Sequence, residues 1–254
     1  MLPMTTLTVA TYNIHKVFSH FNRRMVLHEL RERLRALNAD IVFLQEVQGE
    51  NTGHARRHDD YPAVPQHEFL AEQIWQHHAY GKNAVYDEGH HGNAILSRYP
   101  IASWNNQDIS AHRFESRGLL HCELSVPGSS VVLHSLCVHL GLFANGRNQQ
   151  MQDVIERVQR VVPADAPLII AGDFNDWNNH ASRLLVKALH LQEAFEVKHG
   201  RVAASYPCNF PLLRMDRIYV RGLTVQQAEV HAHRPWSRIS DHAALSATLT
   251  LPAS

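Results

Sequence analysis

The sequence has few cysteines and no long apolar run, and both shortages narrow the class of protein. Its three cysteines, Cys122, Cys137 and Cys208, are odd in number and far apart, which argues against a disulfide framework and a cysteine-based zinc cluster. No apolar run approaches the ~20 residues that a membrane-spanning helix needs. The N-terminus lacks the basic segment and apolar core of a secretory signal. We therefore predict a cytoplasmic protein without a transmembrane segment.

An excess of charge of either sign is also missing. The chain has 24 basic and 24 acidic side chains in 254 residues, so its formal net charge is zero. This balance argues against a strong basic patch for bulk nucleic acid. No stretch rich in glycine, serine or proline divides the chain, and hydrophobic residues make up 44%, enough for a sizeable core. We predict one domain over residues 1–254 and a monomeric protein.

Histidine, in contrast, is abundant, with 20 residues. Many of these histidines lie in polar stretches, which favours a solvated surface that gains positive charge below about pH 6.5. A second metal site would require a convergent cluster, and no tight motif such as H-E-x-x-H occurs. The histidines assigned to this surface are His54, His58, His67, His77, His78, His90 and His91.

Hydrophobic periodicity predicts an α/β protein whose two halves resemble each other. Each half contains a strand, a helix and a strand that ends in an acid, Glu46 in the first and Asp173 in the second. A turn is expected at Pro127-Gly128. Strands are predicted at 7–13, 40–46, 83–86, 93–97, 104–110, 118–126, 131–139, 168–172, 216–220, 223–231 and 243–250. Helices are predicted at 25–38, 66–78, 151–162 and 182–190.

The most informative segment is the apolar run that leads into Gly172-Asp173-Phe174-Asn175. Residues two apart in an extended chain point to the same face, so Asp173 and Asn175 are expected to project together from a strand end, where α/β folds place their chemistry. Alone, such residues have plain alternatives, such as a turn cap or a hydrogen-bonded core histidine. Their recurrence at strand ends favours a site formed by Asn13, Glu46, His139, Asp173, Asn175, Asp216, Asp241 and His242.

The segments around these residues resemble those of the endonuclease/exonuclease/phosphatase superfamily, the metal-dependent phosphoesterases typified by pancreatic deoxyribonuclease. They occur in family order from residue 11 to residue 242. The matching segments are T-Y-N-I-H (11–15), L-Q-E-V (44–47), G-N-A-I-L-S-R-Y-P-I (92–101), V-H-L-G (138–141), G-D-F-N (172–175), R-M-D-R-I (214–218) and S-D-H (240–242).

The resemblance implies a four-layered α/β sandwich of two mixed, largely antiparallel β-sheets flanked by helices. It also implies hydrolysis of a P–O bond with Mg²⁺ or Mn²⁺. Mg²⁺ prefers oxygen ligands and keeps several waters, so one or two carboxylates suffice. Glu46 is the first expected ligand, and Asn13 and Asp241 are expected to complete or orient the ligand shell.

The resemblance also assigns catalytic roles. Asp173 matches the residue that activates or positions the attacking water, and Asn175 is expected to hold that water or a phosphate oxygen. His242 resembles the histidine that contacts the scissile phosphate, and Asp216 the carboxylate that fixes its tautomer. His139 is a candidate general acid or phosphate donor. Abasic-site repair enzymes of this superfamily typically carry a tyrosine at the corresponding position. The V-H-L-G segment with His139 instead resembles the deoxyribonuclease, sphingomyelinase and inositol-phosphatase branches.

The substrate is less well specified than the reaction. Arg117 and Asn93 are candidate substrate contacts, and the alternative for Arg117 is an ion pair with Glu115. The expected reaction is hydrolysis of a phosphodiester in a nucleic acid, a lipid head group or a small molecule. A phosphomonoesterase of the same fold and a non-catalytic binding protein are the alternatives. A glycosidase is disfavoured because the chain has only four tryptophans and that chemistry has no role for Asn13 or Asn175.

Overall fold

The computed structural model describes residues 5–17, 26–51, 64–86 and 89–251. We number the elements in chain order. The strands are β1 (Thr5–Asn13), β2 (Ile41–Asn51), β3 (His77–Tyr86), β4 (Gly89–Ser97), β5 (Ile101–Asp108), β6 (Gly118–Ser125), β7 (Val132–His139), β8 (Leu168–Asp173), β9 (Gln192–Glu193), β10 (Asp216–Arg221), β11 (Thr224–His231) and β12 (Ala244–Leu251). The helices are α1 (Leu27–Leu37), α2 (Gln66–Ala71), α3 (Ala144–Val161), α4 (His180–Leu189) and α5 (Ala194–His199).

The strands form two six-stranded sheets. The first has the order β11-β12-β1-β2-β4-β3, and the second has the order β5-β6-β7-β8-β10-β9. Each sheet has one parallel pair at its centre, β1 with β2 and β7 with β8, and its other pairs are antiparallel. The prediction of two mixed, largely antiparallel sheets is therefore confirmed.

Three apolar clusters define the layers. Alternate strand residues such as Phe43 and Ile169 pack between the two sheets. Leu30 and Leu34 of α1 cover the outer face of the first sheet, and Val154 of α3 covers the outer face of the second. This burial on both faces explains the nearly continuous apolar strands. The order helix, sheet, sheet, helix confirms the predicted four-layered sandwich.

The predicted similarity of the two halves is also present. The units β1-α1-β2 and β7-α3-β8 each place a helix between two parallel strands. Parallel strands end at the same edge of a sheet, so each unit brings two carboxyl ends together. Asn13 ends β1, His139 ends β7 and Asp173 ends β8, while Glu46 lies within β2 near the same edge. The fold thereby gathers polar side chains at one end of the sandwich.

The helix predicted at 66–78 is wrong beyond its first six residues. Helix α2 ends at Ala71, and Gln73 adopts a left-handed conformation with φ of 70°. Trp75 is buried, and its indole N–H donates to the carbonyl oxygen of Ala39 at 2.9 Å. This anchor redirects the chain into β3, which begins at His77 instead of the predicted residue 83. Helical spacing of apolar residues did not reveal the turn.

Other boundaries differ by smaller amounts. Helix α3 begins at Ala144, seven residues before the predicted start at 151. The short elements β9 and α5 were not predicted, because each is too brief to produce a periodic pattern. The turn at Pro127-Gly128 is confirmed, with φ of 81° at Gly128.

Two absences hold for the part of the chain that the structure describes. Its three cysteines are free and buried. None of its helices combines the length and apolar character needed to cross a membrane.

The prediction of a solvated histidine surface is wrong for His67, which is only 7% exposed. His121 and His134, which were not assigned to that surface, are also buried, each 4% exposed. His54 and His58 lie outside the described residues. His121 Nε2 and His134 Nδ1 are 3.0 Å apart, which joins β6 to β7 by a hydrogen bond. Burial lowers the pKa of His121 to about 4 and also lowers the pKa of His134.

These buried histidines predict a loss of stability in mild acid. The unfolded chain takes up protons near pH 6.5, whereas folded His121 resists protonation until about pH 4. Stability is therefore full above pH 6.5 and falls as the pH drops toward 4. Urea denaturation should show a free energy of unfolding lower by about 2 kcal/mol at pH 5 than at pH 7 from His121 alone.

The double variant His121→Leu/His134→Leu should have a flatter pH dependence than the wild-type protein. The exposed His112 provides a matched control, since His112→Gln should leave the dependence unchanged. If the free energy of unfolding of the double variant falls between pH 7 and pH 5 as much as that of the wild type, these two histidines are not the cause of the loss of stability.

Candidate active site

The centre of the candidate site is a row of side chains across three adjacent strands. His139 pairs with Asp173 in the parallel ladder of β7 and β8, and Asp173 pairs with Asp216 in the antiparallel ladder of β8 and β10. The distance from His139 Nε2 to Asp173 Oδ2 is 3.6 Å. Asp173 is 2% exposed and Asp216 is fully buried. The register therefore places three predicted catalytic residues side by side.

The G-D-F-N segment is shaped by a close approach of two backbones. Gly172 has φ of 150°, and a Cβ there would collide with the backbone of Val138 on β7. Strand β8 ends at Asp173, and Asn175 adopts φ of 50°. Asp173 Oδ1 accepts the Asn175 backbone N–H at 3.0 Å, while Asn175 Nδ2 donates to the Leu140 carbonyl at 2.9 Å. Asn175 thus lies beside Asp173 through a turn, not through the extended alternation that the sequence suggested.

Glu46 enters the site from a β-bulge. Between Leu44 and Val47, β2 has one residue more than the opposing stretch of β4, and Glu46 has φ of 57°. A bulge rotates the side chains that follow it and redirects the extra residue. Val47 consequently packs with Leu44 in the outer core, and Glu46 remains partly exposed near Asn13. Without the bulge, regular alternation would turn Glu46 toward the outer helices.

Asn13 connects the two sheets at the site. Its Nδ2 donates to Asp173 Oδ2 at 3.1 Å and, in a longer contact of 3.4 Å, to Glu46 Oε1. Its Oδ1 accepts the backbone N–H of His15 at 3.1 Å. In this structure, Asn13 therefore orients the two carboxylates.

His242 forms a hydrogen-bonded pair with Asp216. His242 Nδ1 is 2.8 Å from Asp216 Oδ2, and His242 Nε2 is 3.8 Å from Asp173 Oδ2. The ring of Tyr206 packs against His242 with centroids 5.1 Å apart. Ser240 Oγ donates to the Asn13 carbonyl at 2.7 Å and accepts the His242 backbone N–H at 3.2 Å. The S-D-H segment is thus fixed to the end of β1.

The electrostatic environment shifts the pKa values of His242 and His139 in opposite directions. Burial disfavours a charged His242, but the carboxylates of Asp216 and Asp173 outweigh burial and raise its pKa. Burial lowers the pKa of His139 well below its usual value, and the positive charge of Arg117 lowers it further. Burial raises the pKa of Asp173. At neutral pH, His242 is a cationic donor and His139 is a neutral ring.

The donor chemistry of the site fits a hard divalent cation. Glu46 presents a partly exposed carboxylate, and Asp241 lies close enough to help raise the pKa of His242. Asp216 Oδ1 is buried without a hydrogen-bond partner among the described residues. Oxygen-rich sets of this kind suit Mg²⁺ or Mn²⁺, whereas a protonated His242 offers no lone pair.

The two candidate substrate residues occupy different positions. Arg117 lies near the site, with its Nε 3.7 Å from Glu115 Oε1, so the ion-pair alternative is present in the structure. Asn93 is fully buried, and its Nδ2 donates to the Gly118 carbonyl at 2.9 Å. Its side chain is therefore not offered to a substrate in this structure, because it joins the two sheets.

Sequence reasoning missed two neighbours of His139. Both His91 and Lys16 add to the effect of Arg117 in lowering its pKa. Both residues come from the first half of the chain, and they reach His139 only because the two sheets face each other. Their positions in the sequence carry no signal of this proximity.

Solved structures with a similar fold include the endonuclease/exonuclease/phosphatase from Beutenbergia cavernae, with a TM-score of 0.75 and 20% identity, covering 97% of this chain and 72% of that one. The complex of D. rerio TDP2 with a single-strand DNA product gives a TM-score of 0.68 with 18% identity, covering 96% and 99%. At this level of identity, the comparison establishes the fold.

The sequence comparisons define the family. The family model described as endonuclease/exonuclease/phosphatase matches residues 10–242. The protein YbhP of Escherichia coli K12 is 46% identical over 243 residues, which is 96% of each chain. The chain therefore belongs to the endonuclease/exonuclease/phosphatase family, whose members are phosphoesterases and nucleases.

Proposed function

We propose that this protein is a Mg²⁺- or Mn²⁺-dependent phosphodiesterase whose reaction centre lies between Asp173, His139 and His242. One observation carries the proposal: Asp173 Oδ2 is within 4 Å of both histidines and of the Asn13 amide. A buried carboxylate beside a cationic and a neutral imidazole provides a proton acceptor and donors for phosphate oxygens.

The roles follow from the hydrogen bonds. Asp173, with its raised pKa, orients a water and accepts its proton. His242 donates from Nε2 to a phosphate oxygen, because its Nδ1–H is committed to Asp216. His139 donates a second hydrogen bond, and Asn175 holds Asp173 in place through its backbone N–H.

The remaining side chains define where an ion would be held. Glu46 is the principal ligand, and Asn13 and Asp241 orient or complete its surroundings. An ion held there would supply charge stabilisation at the phosphate oxygens. Arg117 adds a fixed positive charge beside the reacting group.

A cleft next to Arg117 favours a diester with a large organic substituent. The cleft has a volume of about 340 Å³ and is lined by Arg117, His91, Leu142, Phe114 and Phe143. Phe114 and Phe143 are 82% and 76% exposed. Exposed rings beside a cation can accept a planar base by stacking or an apolar chain by contact. Phosphate esters with a very small substituent would leave these rings exposed to water.

A substrate panel tests the proposal. We expect cleavage of bis-p-nitrophenyl phosphate with Mg²⁺ or Mn²⁺, loss of cleavage with EDTA, and slower cleavage of p-nitrophenyl phosphate. The panel should include single-stranded oligonucleotides, because TDP2 was crystallised with a single-strand DNA product. It should also include phospholipids and glycerophosphodiesters. Absence of metal-dependent turnover across the panel would refute the enzymatic function, and faster turnover of monoesters would refute the diester preference.

A further inference from the structure

A second group of potential metal ligands lies at the edge strand of the first sheet and shares no residue with the site described above. His67 and Glu68 occupy the first turn of α2, and His78 lies on β3, the edge strand of the first sheet. One ligand atom from each of these residues lies within 4.8 Å of the other two. The turn at Gln73 brings these residues together by folding α2 back against β3.

The geometry of the two imidazoles matches shared coordination. Their ring centroids are 5.2 Å apart, with the planes at 64°. Two imidazoles bound to one tetrahedral zinc at about 2.0–2.1 Å place their centroids about 5 Å apart. The carboxylate of Glu68 is 45% exposed and free to rotate, so it can close the remaining distance to an ion. The exposed faces of Glu68 and His78 also give the ion a path from solvent.

His67 presents its Nε2 to the carboxylate of Glu68, whose Oε1 is 4.0 Å away. Its Nδ1, on the other side of the ring, is buried and makes no hydrogen bond with any residue in the described ranges. Burial lowers the pKa of His67 to about 4, and the ring is neutral at pH 7 with a lone pair available for coordination. Its stacking on Tyr80, at 4.6 Å between centroids, fixes the ring plane.

The other histidine pair lacks these features. His121 and His134 satisfy each other through their 3.0 Å hydrogen bond. Arg157 adds a positive charge that acts on His121, which opposes binding of a cation. The charged neighbours that act on His67 are instead the titratable rings of His78 and His90.

We infer that His67, Glu68 and His78 form a binding site for a transition-metal ion of the Zn²⁺ class, separate from the Mg²⁺ or Mn²⁺ site at Glu46. Two imidazoles and one carboxylate suit a borderline-soft ion, whereas Mg²⁺ selects oxygen ligands. Three protein ligands leave a fourth position for water.

The side chain of Gln66 links the site to the catalytic edge. Gln66, which precedes His67, accepts the backbone N–H of Gln48 at 2.9 Å and donates to the Lys16 carbonyl at 3.3 Å. Gln48 follows Glu46 by two residues on β2. An ion that holds α2 against β3 therefore also stabilises the segment that follows the β-bulge. This role does not require the ion to contact substrate.

Calorimetric titration with Zn²⁺ tests the inference. The protein should be free of any histidine tag, stripped with EDTA, dialysed and then supplied with excess Mg²⁺ to occupy the oxygen-rich site. We expect one Zn²⁺ equivalent to disappear in His78→Ala, with affinity reduced at least about 100-fold, because loss of a direct ligand exceeds the 10- to 100-fold effect of outer-shell partners. Glu68→Gln should weaken binding in the same direction.

His77→Ala provides the matched control, because adjacent strand residues point to opposite faces. It should keep the Zn²⁺ equivalent of the wild-type protein. Thermal melts in EDTA should be similar for all three variants, whereas Zn²⁺ should raise the melting temperature of the wild type and His77→Ala but not His78→Ala. Equal stoichiometry and affinity in His78→Ala, Glu68→Gln and the wild type would overturn the site.

Discussion

Replacement of Asp173 with asparagine is expected to reduce kcat for phosphodiester cleavage by about 10³-fold, within the range of a lost general base. The substitution preserves the shape of the side chain but removes its negative charge. The amide cannot accept a proton from water, and an amide nitrogen turned toward Asn13 would oppose the donor that now bonds Asp173 Oδ2 at 3.1 Å. Steady-state kinetics with bis-p-nitrophenyl phosphate measures the effect.

A matched control for this variant is Asp153→Asn on α3, which lies away from the site and should retain wild-type kcat. Circular dichroism establishes that both variants are folded. The pH profile adds a second criterion, since a water-activating carboxylate shapes the acidic limb and its loss should remove that limb. If Asp173→Asn retains more than a tenth of wild-type kcat, Asp173 does not have the proposed role.

Replacement of Glu46 with glutamine should have its largest effect on the metal requirement. We expect the concentration of Mg²⁺ or Mn²⁺ for half-maximal activity to rise at least about 100-fold, because the carboxylate is the principal proposed ligand. At a fixed low metal concentration, kcat/KM should fall by a similar factor. Activity measured as a function of metal concentration separates this effect from a loss of catalytic groups.

The control for Glu46→Gln is Glu72→Gln, an exposed carboxylate that pairs with Arg31 on the surface. This control should leave the metal dependence unchanged, since exposed ion pairs contribute little to stability. A wild-type metal dependence in Glu46→Gln would exclude Glu46 as a principal ligand. A fall in kcat at saturating metal with no shift in metal dependence would instead place Glu46 among the catalytic groups.

Sequence reasoning identified most of the strands because they are apolar, short and separated by clear turns, and the family resemblance implied that they form two sheets. It also identified the edge of the proposed site, because Asn13, His139 and Asp173 each end an apolar strand. These features depend on local periodicity and on the shared direction of parallel strands. Local patterns of this kind can be recognised in a single sequence.

Other features depend on contacts between distant segments and were not predictable in this way. The bulge at Glu46 is defined by the pairing of β2 with β4, and the sequence L-Q-E-V has no glycine to announce a positive φ. The end of α2 depends on the bond between Trp75 and Ala39. The histidine count of 20 suggested a solvated surface, but tertiary packing buried His67, His121 and His134. The general physical reason is that hydrophobic periodicity describes a single helix or strand and carries no information about contacts between distant segments.

The bond between Asn13 and Asp173 has a consequence for how the protein tolerates mutation. Asn13 belongs to the first sheet and Asp173 to the second, so their 3.1 Å contact spans the layer of apolar side chains between the sheets. We expect a substitution deep in that layer, such as Phe43→Ala, to shift one sheet against the other and to alter this contact without touching a polar residue. Under the proposed function, turnover is therefore expected to depend on apolar positions that never contact a substrate.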